Sequence, residues 1–238
     1  MRVPCCLRVN DCIILELTYG HVNENTCYVL CNPTGRCYNC KPNISLTLDR
    51  DSSLTADNQN SPNTEVPFAY HRIVVKAGTS LLTGGSPDLD TGEMLRLVRQ
   101  IAELRQNNRE VLLVTSGAVA AGRQALGQPR ERRDVPFRQM LAAVGQGRLM
   151  HAYQEMFTQH SIVVAQALLT HDDMAKRQGY LNVRDSLLGL LEMGVVPIVN
   201  ENDVVTSEEL GDEVFGDNDT LSALVANLVD ADLLVMLT

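Results

Sequence analysis

His71-Arg72-Ile73-Val74-Val75-Lys76-Ala77-Gly78-Thr79-Ser80 joins an apolar, β-branched run to a lysine, a glycine and two hydroxyls. The run reads as a buried strand. Its last residues and the turn after them read as a phosphate-binding strand end, with Gly78 letting backbone N–H groups close on an anion and Lys76 supplying charge. The spacing is not that of a P-loop, so the stretch gains its meaning from the rest of the chain.

Downstream, the same punctuation recurs. A helix is expected over about 91–107, after the turn Thr83-Gly84-Gly85-Ser86-Pro87, because Met94, Leu95, Val98, Ile101, Ala102 and Leu104 fall near helical spacing. A second strand, Val111–Thr115, runs into Ser116-Gly117-Ala118 and a helix of small residues to about Leu126. Helical pattern resumes over about 134–160, then a strand near 162–168, a helix near 183–193, a buried strand at 195–199, a helix after Asn218 and a last strand at 233–237. Alternating strands and helices with apolar strands predict an α/β fold: a three-layer αβα sandwich on a mainly parallel sheet. Ligands in such folds bind beyond the C-terminal strand ends.

Residues 1–70 differ in character. All seven cysteines lie in the first forty positions, and 41–66 are polar and rich in Ser, Asn, Asp and Pro. This predicts a poorly ordered Cys-rich extension at 1–70 and a folded domain at 71–238. Cys27, Cys31, Cys37 and Cys40 also admit a zinc site or a disulfide module, although the spacing fits no common zinc knuckle and the cysteine count is odd.

The net charge of −9 argues against nucleic-acid and anionic-membrane partners. No apolar run is long enough to span a bilayer and no secretory leader is evident, so a soluble, cytoplasmic protein with a small-molecule partner is expected. From Asp185 to Thr238 there are twelve carboxylates and no Lys or Arg. If this half handles a nucleotide, Lys76, helix N-termini and a divalent metal must neutralise the phosphates; the alternative is a solvated acidic face.

Two clusters stand where chemistry is expected. Asn200-Glu201-Asn202-Asp203 places four polar side chains after an apolar strand, more than a plain turn needs, although Asn and Asp are common turn formers. Gly216-Asp217-Asn218-Asp219 opens a helix, with Asn218 or Asp219 as N-cap. The paired carboxylates call for a cation, either a metal or a substrate amine.

VVKAGTSLLTGG at 74–85, VTSGAVAAGR at 114–123, LAAVGQGRLM at 141–150, LNVRDSL at 181–187, VPIVNENDVV at 196–205 and GDNDTLSALVA at 216–226 together resemble the glutamate 5-kinase branch of the amino-acid kinase superfamily. The resemblance runs from 71 to 238. It implies the amino-acid kinase fold, incomplete at the C-terminus, since the family's nucleotide-base site and second phosphate-binding lysine come later; it also predicts an exposed sheet edge at 233–237. It implies catalytic roles for Lys76 and Asp217, ATP contacts at Lys76, Gly78, Thr79 and Thr238, and glutamate contacts at Ser116, Gly117, Asp203 and Asn218. Asp217 and Asp219 would organise the site, and no residue is assigned as a dedicated metal ligand. The implied reaction is ATP- and Mg²⁺-dependent phosphorylation of the glutamate γ-carboxylate, with proline as a feedback inhibitor and a homo-oligomer as the assembly. Two other readings remain beside it: the kinase portion of a bifunctional pyrroline-5-carboxylate synthase, and a non-catalytic glutamate- or proline-binding module.

Overall fold

The structure is a computed structural model that describes residues 7–9, 12–17, 27–31, 70–205 and 218–237, with 131 and 133 excepted. Within the extension three segments form strands: β1 (Leu7–Val9), β2 (Cys12–Leu17) and β3 (Cys27–Cys31). The main domain contributes β4 (Arg72–Ala77), α1 (Thr79–Thr83), α2 (Thr91–Gln106), β5 (Glu110–Thr115), α3 (Ala118–Ala125) and α4 (Val135–Thr158). It continues with β6 (Val164–Leu169), α5 (His171–Ala175), α6 (Arg177–Glu192), β7 (Val196–Glu201), α7 (Asn218–Leu228) and β8 (Leu233–Leu237).

The strands form one sheet in the order β1-β2-β3-β8-β4-β5-β7-β6. From β8 to β6 every pairing is parallel, with Lys76 opposite Val114 on one side and Met236 on the other. The outer edge of β8 was expected to be exposed. Instead β3 pairs with it antiparallel, Val29 opposite Val235, so strands of the extension satisfy backbone groups that would otherwise face solvent. The extension expected to be poorly ordered contributes these three strands; Cys37 and Cys40 lie outside the described residues.

Period-2 alternation divides the sheet into two apolar faces. Ile73, Val75, Val111, Leu113, Val196 and Ile198 pack against α2, α3 and α4, where Val98, Ile101, Leu149, Tyr153 and Phe157 are fully or nearly fully buried. Val74, Leu112, Val114, Val199, Leu234 and Met236 pack against the other helical layer, through Leu187 of α6 and Val225 and Leu228 of α7. This is the expected αβα sandwich. The same parity decides where the polar residues at the strand ends point. Lys76, two residues after Val74, belongs to the α7 face. Thr115, two after Leu113, and Asn200, two after Ile198, belong to the α4 face.

Helices α2, α4 and α5 begin where the sequence gives them a side-chain cap. Asp90 accepts from the N–H groups of Gly92 (2.8 Å) and Glu93 (3.1 Å) at the start of α2. Asp134 accepts from Phe137 at the start of α4, with a proline in the first turn. Thr170 and Asp173 cap α5 reciprocally, and the Thr170 hydroxyl and N–H hold the Asp173 carboxyl below its ordinary range. Two short helices, α1 and α5, were not expected, and α6 starts six residues earlier than the predicted 183. Helices α3 and α4 meet without intervening side chains: a Cβ built on Gly122 would lie 1.9 Å from the Leu141 carbonyl oxygen, and one on Gly145 would lie 1.8 Å from that of Ala118. Backbone contact this close fixes the start of α3, and with it the Ser116-Gly117 turn, against α4. No described helix is long and apolar enough to cross a membrane.

Candidate functional site

The C-terminal ends of β4, β5 and β7 meet the first turn of α7. Lys76 is 5% exposed, so its ammonium must find a partner inside the protein. It finds Asp219, whose Oδ1 lies 2.5 Å from Nζ. Asp219 sits in the first helical turn, where the axial dipole also favours a carboxylate. The pair links the strand that opens the domain to a helix that begins 142 positions later. Lys76 is thus held at the mouth of the sheet by a group that an incoming phosphate can replace in kind.

Beside that pair lies a network of neutral amides and hydroxyls. The Asn218 amide donates through Nδ2 toward the Thr115 carbonyl (3.1 Å), the Ser116 Oγ (2.8 Å) and the Asn200 Oδ1 (3.2 Å). Asn200, 2% exposed, accepts from the Glu201 backbone N–H (2.9 Å) and donates to Gln146 Oε1 (2.9 Å). Beneath these, Thr115 bonds through its hydroxyl to Tyr153 (2.8 Å) and to the Ser116 carbonyl (3.1 Å). Full burial pushes the Tyr153 phenol far above its ordinary value, so it stays a neutral hydrogen-bonding anchor.

Asp203 follows β7 in a turn. Burial raises its carboxyl above the usual carboxylate range, and the charge of Arg138 partly offsets this. A half-buried carboxylate of raised basicity suits an ammonium ligand, which would restore the charge balance that burial removes.

The structure brings together Lys76, Ser116 and Asn218 as the sequence predicts, and puts Asp203 after the same strand that carries Asn200. Gly117 has its own reason for being glycine: φ is +100°, and a Cβ would crowd Leu82 and Leu89. At Gly78 φ is −76°, open to any residue, and its N–H donates to the Leu237 carbonyl (2.8 Å), which ties β4 to the end of β8. Thr79 is exposed at the first position of α1. Asp217 and Thr238 lie outside the described residues.

Sequence reasoning missed Gln146, Thr115 and Tyr153. No local signal singles out Gln146, which lies within α4 between Gln139 and Arg148.

The amino acid kinase family matches the chain over residues 71–238. Over 169 residues the chain is 56% identical to a glutamate 5-kinase of Dehalococcoides mccartyi, covering 71% of this chain and 45% of that protein. Glutamate 5-kinases of Herpetosiphon aurantiacus, 56% identical over 169 residues, and Moorella thermoacetica, 54% identical over 167, align over similar shares, 71% and 70% of this chain and 45% and 43% of theirs. The chain therefore spans a little under half the length of the curated relatives it matches. A parallel sheet between two helical layers, a buried lysine paired to a helix-start carboxylate at its C-terminal end, and a family match covering all of 71–238 place this chain in the amino acid kinase family.

Proposed function

We propose that residues 71–238 carry the glutamate-binding and phosphoryl-transfer centre of a glutamate 5-kinase, which converts L-glutamate and ATP to L-glutamyl 5-phosphate and ADP. The observation that carries this reading is the buried Lys76–Asp219 pair set directly beside the Asn218–Ser116 hydrogen bond. A cation for phosphate thus adjoins hydroxyl and amide groups suited to a carboxylate.

On this reading Ser116 and Asn218 hold the substrate beside Lys76, and Asp203 takes the α-ammonium. An oxygen of the γ-carboxylate attacks the γ-phosphorus of ATP in line; the new P–O bond forms as the bond to ADP breaks, and ADP leaves with the electron pair. The carboxylate is already ionised near neutrality, so no general base is needed. Lys76 neutralises charge on the transferring group, and the chain's share of catalysis is positioning and electrostatics. Among the described residues no three His, Cys, Asp or Glu side chains gather as a metal cage. Mg²⁺ keeps several waters and is carried on substrate phosphates with one or two carboxylates; Asp219 would be the residue to hold it, with Asp217 beside it in sequence. When bound, Mg²⁺ supplies further neutralisation of the phosphate oxygens. Proline, which shares the α-carboxylate and α-nitrogen of glutamate, is proposed as the inhibitor, with the homo-oligomer and the cytoplasm as the setting.

The test incubates the chain with L-glutamate, MgATP and hydroxylamine and measures γ-glutamyl hydroxamate against Lys76→Ala, with glutamate binding followed by calorimetry. Hydroxamate should fall at least about 100-fold in the variant, on the scale of losing one charge-stabilising group, while glutamate affinity stays nearly unchanged. Glutamate binding with no hydroxamate from either protein would overturn phosphoryl transfer and leave a binding module. Equal loss of binding and turnover in Lys76→Ala would make Lys76 structural.

A further inference from the structure

The amide network fixes which atom of each side chain faces which, and two groups are left over. Asn200 Oδ1 accepts from the Glu201 backbone N–H, which can only donate. Its Nδ2 must therefore be the atom that faces Gln146, and Gln146 must present Oε1 to it. This leaves the Gln146 Nε2 as a buried donor with no hydrogen-bond partner. Asn218 is fixed by the same logic, since the Thr115 carbonyl only accepts; its Nδ2 is committed and its Oδ1 is a buried acceptor with no partner. Buried polar atoms without partners are rare in folded proteins and costly, so a donor and an acceptor orphaned within one network call for a ligand that offers both an acceptor and a donor. An α-amino acid, with its carboxylate and ammonium, does so.

The sheet order says which carboxylate Gln146 meets. Lys76, which marks where the phosphoryl group arrives, is near the end of β4; Ser116 follows β5; Asn200, near the end of β7, holds Gln146 of α4 by its amide. With neighbouring strands about 4.8 Å apart, Lys76 and Asn200 stand roughly 10 Å apart across β5, so a short dicarboxylic amino acid with its acceptor carboxylate at Lys76 turns its other end toward Asn200 and Gln146. We infer that Gln146 is a substrate-binding residue whose Nε2 donates to the α-carboxylate of the bound amino acid, making it a determinant of selectivity for a free α-carboxylate. The inference rests on the glutamate reading above and adds a residue that contacts the substrate end remote from the chemistry.

The test measures calorimetric affinities of the full chain for L-glutamate and for L-isoglutamine, in which the α-carboxylate is an amide, at pH 8. Gln146→Glu keeps the acceptor that Asn200 needs and replaces the donor with an anionic oxygen. Gln146→Met keeps the length and removes both. Glutamate affinity should fall at least about tenfold in both variants, the scale of a lost hydrogen bond to a charged group. The preference for glutamate over isoglutamine should narrow or invert in Gln146→Glu, because an α-amide can donate to the new carboxylate. Melting temperatures report whether each variant folds. A folded Gln146→Glu that keeps the wild-type preference overturns the inference, as does an equal loss for both ligands, which would make Gln146 a positioning residue for Asn200. No glutamate binding by the wild-type chain would instead overturn the reading on which the inference rests.

Discussion

Replacing Gly145 with alanine sets two effects of opposite sign against each other. Within a helix, alanine is favoured over glycine by about 1 kcal/mol, because glycine gives up more backbone freedom on folding. By propensity alone, Gly145→Ala should stabilise the protein. The structure predicts the reverse. The added methyl would lie 1.8 Å from the Ala118 carbonyl oxygen and 2.3 Å from the Gly122 nitrogen, where ordinary contact begins near 3.4 Å. Both obstacles are backbone, so no rotamer change relieves them, and α3 and α4 must separate by well over an ångström. Overpacking in a tight core costs about 1–3 kcal/mol, and separation also loosens the packing of Ala118, Ala121 and Ala142. With the propensity gain set against the upper part of that range and the loosened contacts added, the net loss is about 2 kcal/mol, or roughly 4–8 °C in melting temperature for a domain of this size.

The control sits two residues away on the same helix. Nothing lies within 4 Å of a Cβ built on Gly147, so Gly147→Ala should gain up to about 1 kcal/mol and raise the melting temperature by roughly 2–4 °C. Calorimetric or circular-dichroism melting of both variants beside wild type decides the matter. If Gly145→Ala melts at or above wild type, alongside Gly147→Ala, the close helix contact does not govern this region and the argument that it aligns Ser116 with Gln146 fails. The structure also ties stability to function here: Gly145→Ala should weaken glutamate binding at temperatures where the variant is still folded, whereas Gly147→Ala should not.

Two further substitutions probe the site itself. Because burial raises the Asp203 carboxyl above its ordinary value of 3.8, the native state binds more protons than the unfolded state as pH rises from that value, and Asp203 costs increasing stability until its native carboxyl is ionised. Asp203→Asn should therefore be more stable than wild type near neutrality, with the difference shrinking as pH falls toward 3.8, while losing glutamate affinity; urea midpoints from pH 3.5 to 7.5 that run parallel for the two proteins would refute this. Tyr153→Phe removes the hydroxyl bonded to Thr115 but leaves the Thr115 hydroxyl its bond to the Ser116 carbonyl, so urea unfolding should show a loss of about 1 kcal/mol with little change in glutamate affinity. A large loss of affinity with unchanged stability would mean that Tyr153 acts on the substrate and not beneath it.

The parallel core of the fold was legible because its information is local. Ile73-Val74-Val75 and Leu112-Leu113-Val114 are apolar at consecutive positions, as strands buried on both faces must be, and the long helix between them opens on the capping residue Asp90. What was not legible depends on contacts between distant segments. The turn chemistry that makes α1 and α5 is only five residues long in each case, too short for periodicity to register. The pairing of Cys27–Cys31 with β8 joins positions about two hundred apart, and nothing in a Cys-rich, polar extension marks it as a sheet edge.

The site divides along the same line. Lys76, Ser116 and Asn218 could be picked out because each follows or begins an element, where the fold class itself predicts ligands. Gln146 could not, because it lies in the middle of a 24-residue helix, where a glutamine ordinarily faces solvent. Its role becomes visible only when α4 is docked against α3 through Gly122 and Gly145, which lets its amide reach Asn200 at the end of β7. Gly78 shows the same dependence on register: the parallel pairing of β4 with β8 puts its N–H on the Leu237 carbonyl, so an anion held at this strand end would rest on other N–H groups. A residue's type says which hydrogen bonds it can make, but only the register of its neighbours says which of them remain unmade, and it is the unmade ones that bind ligands.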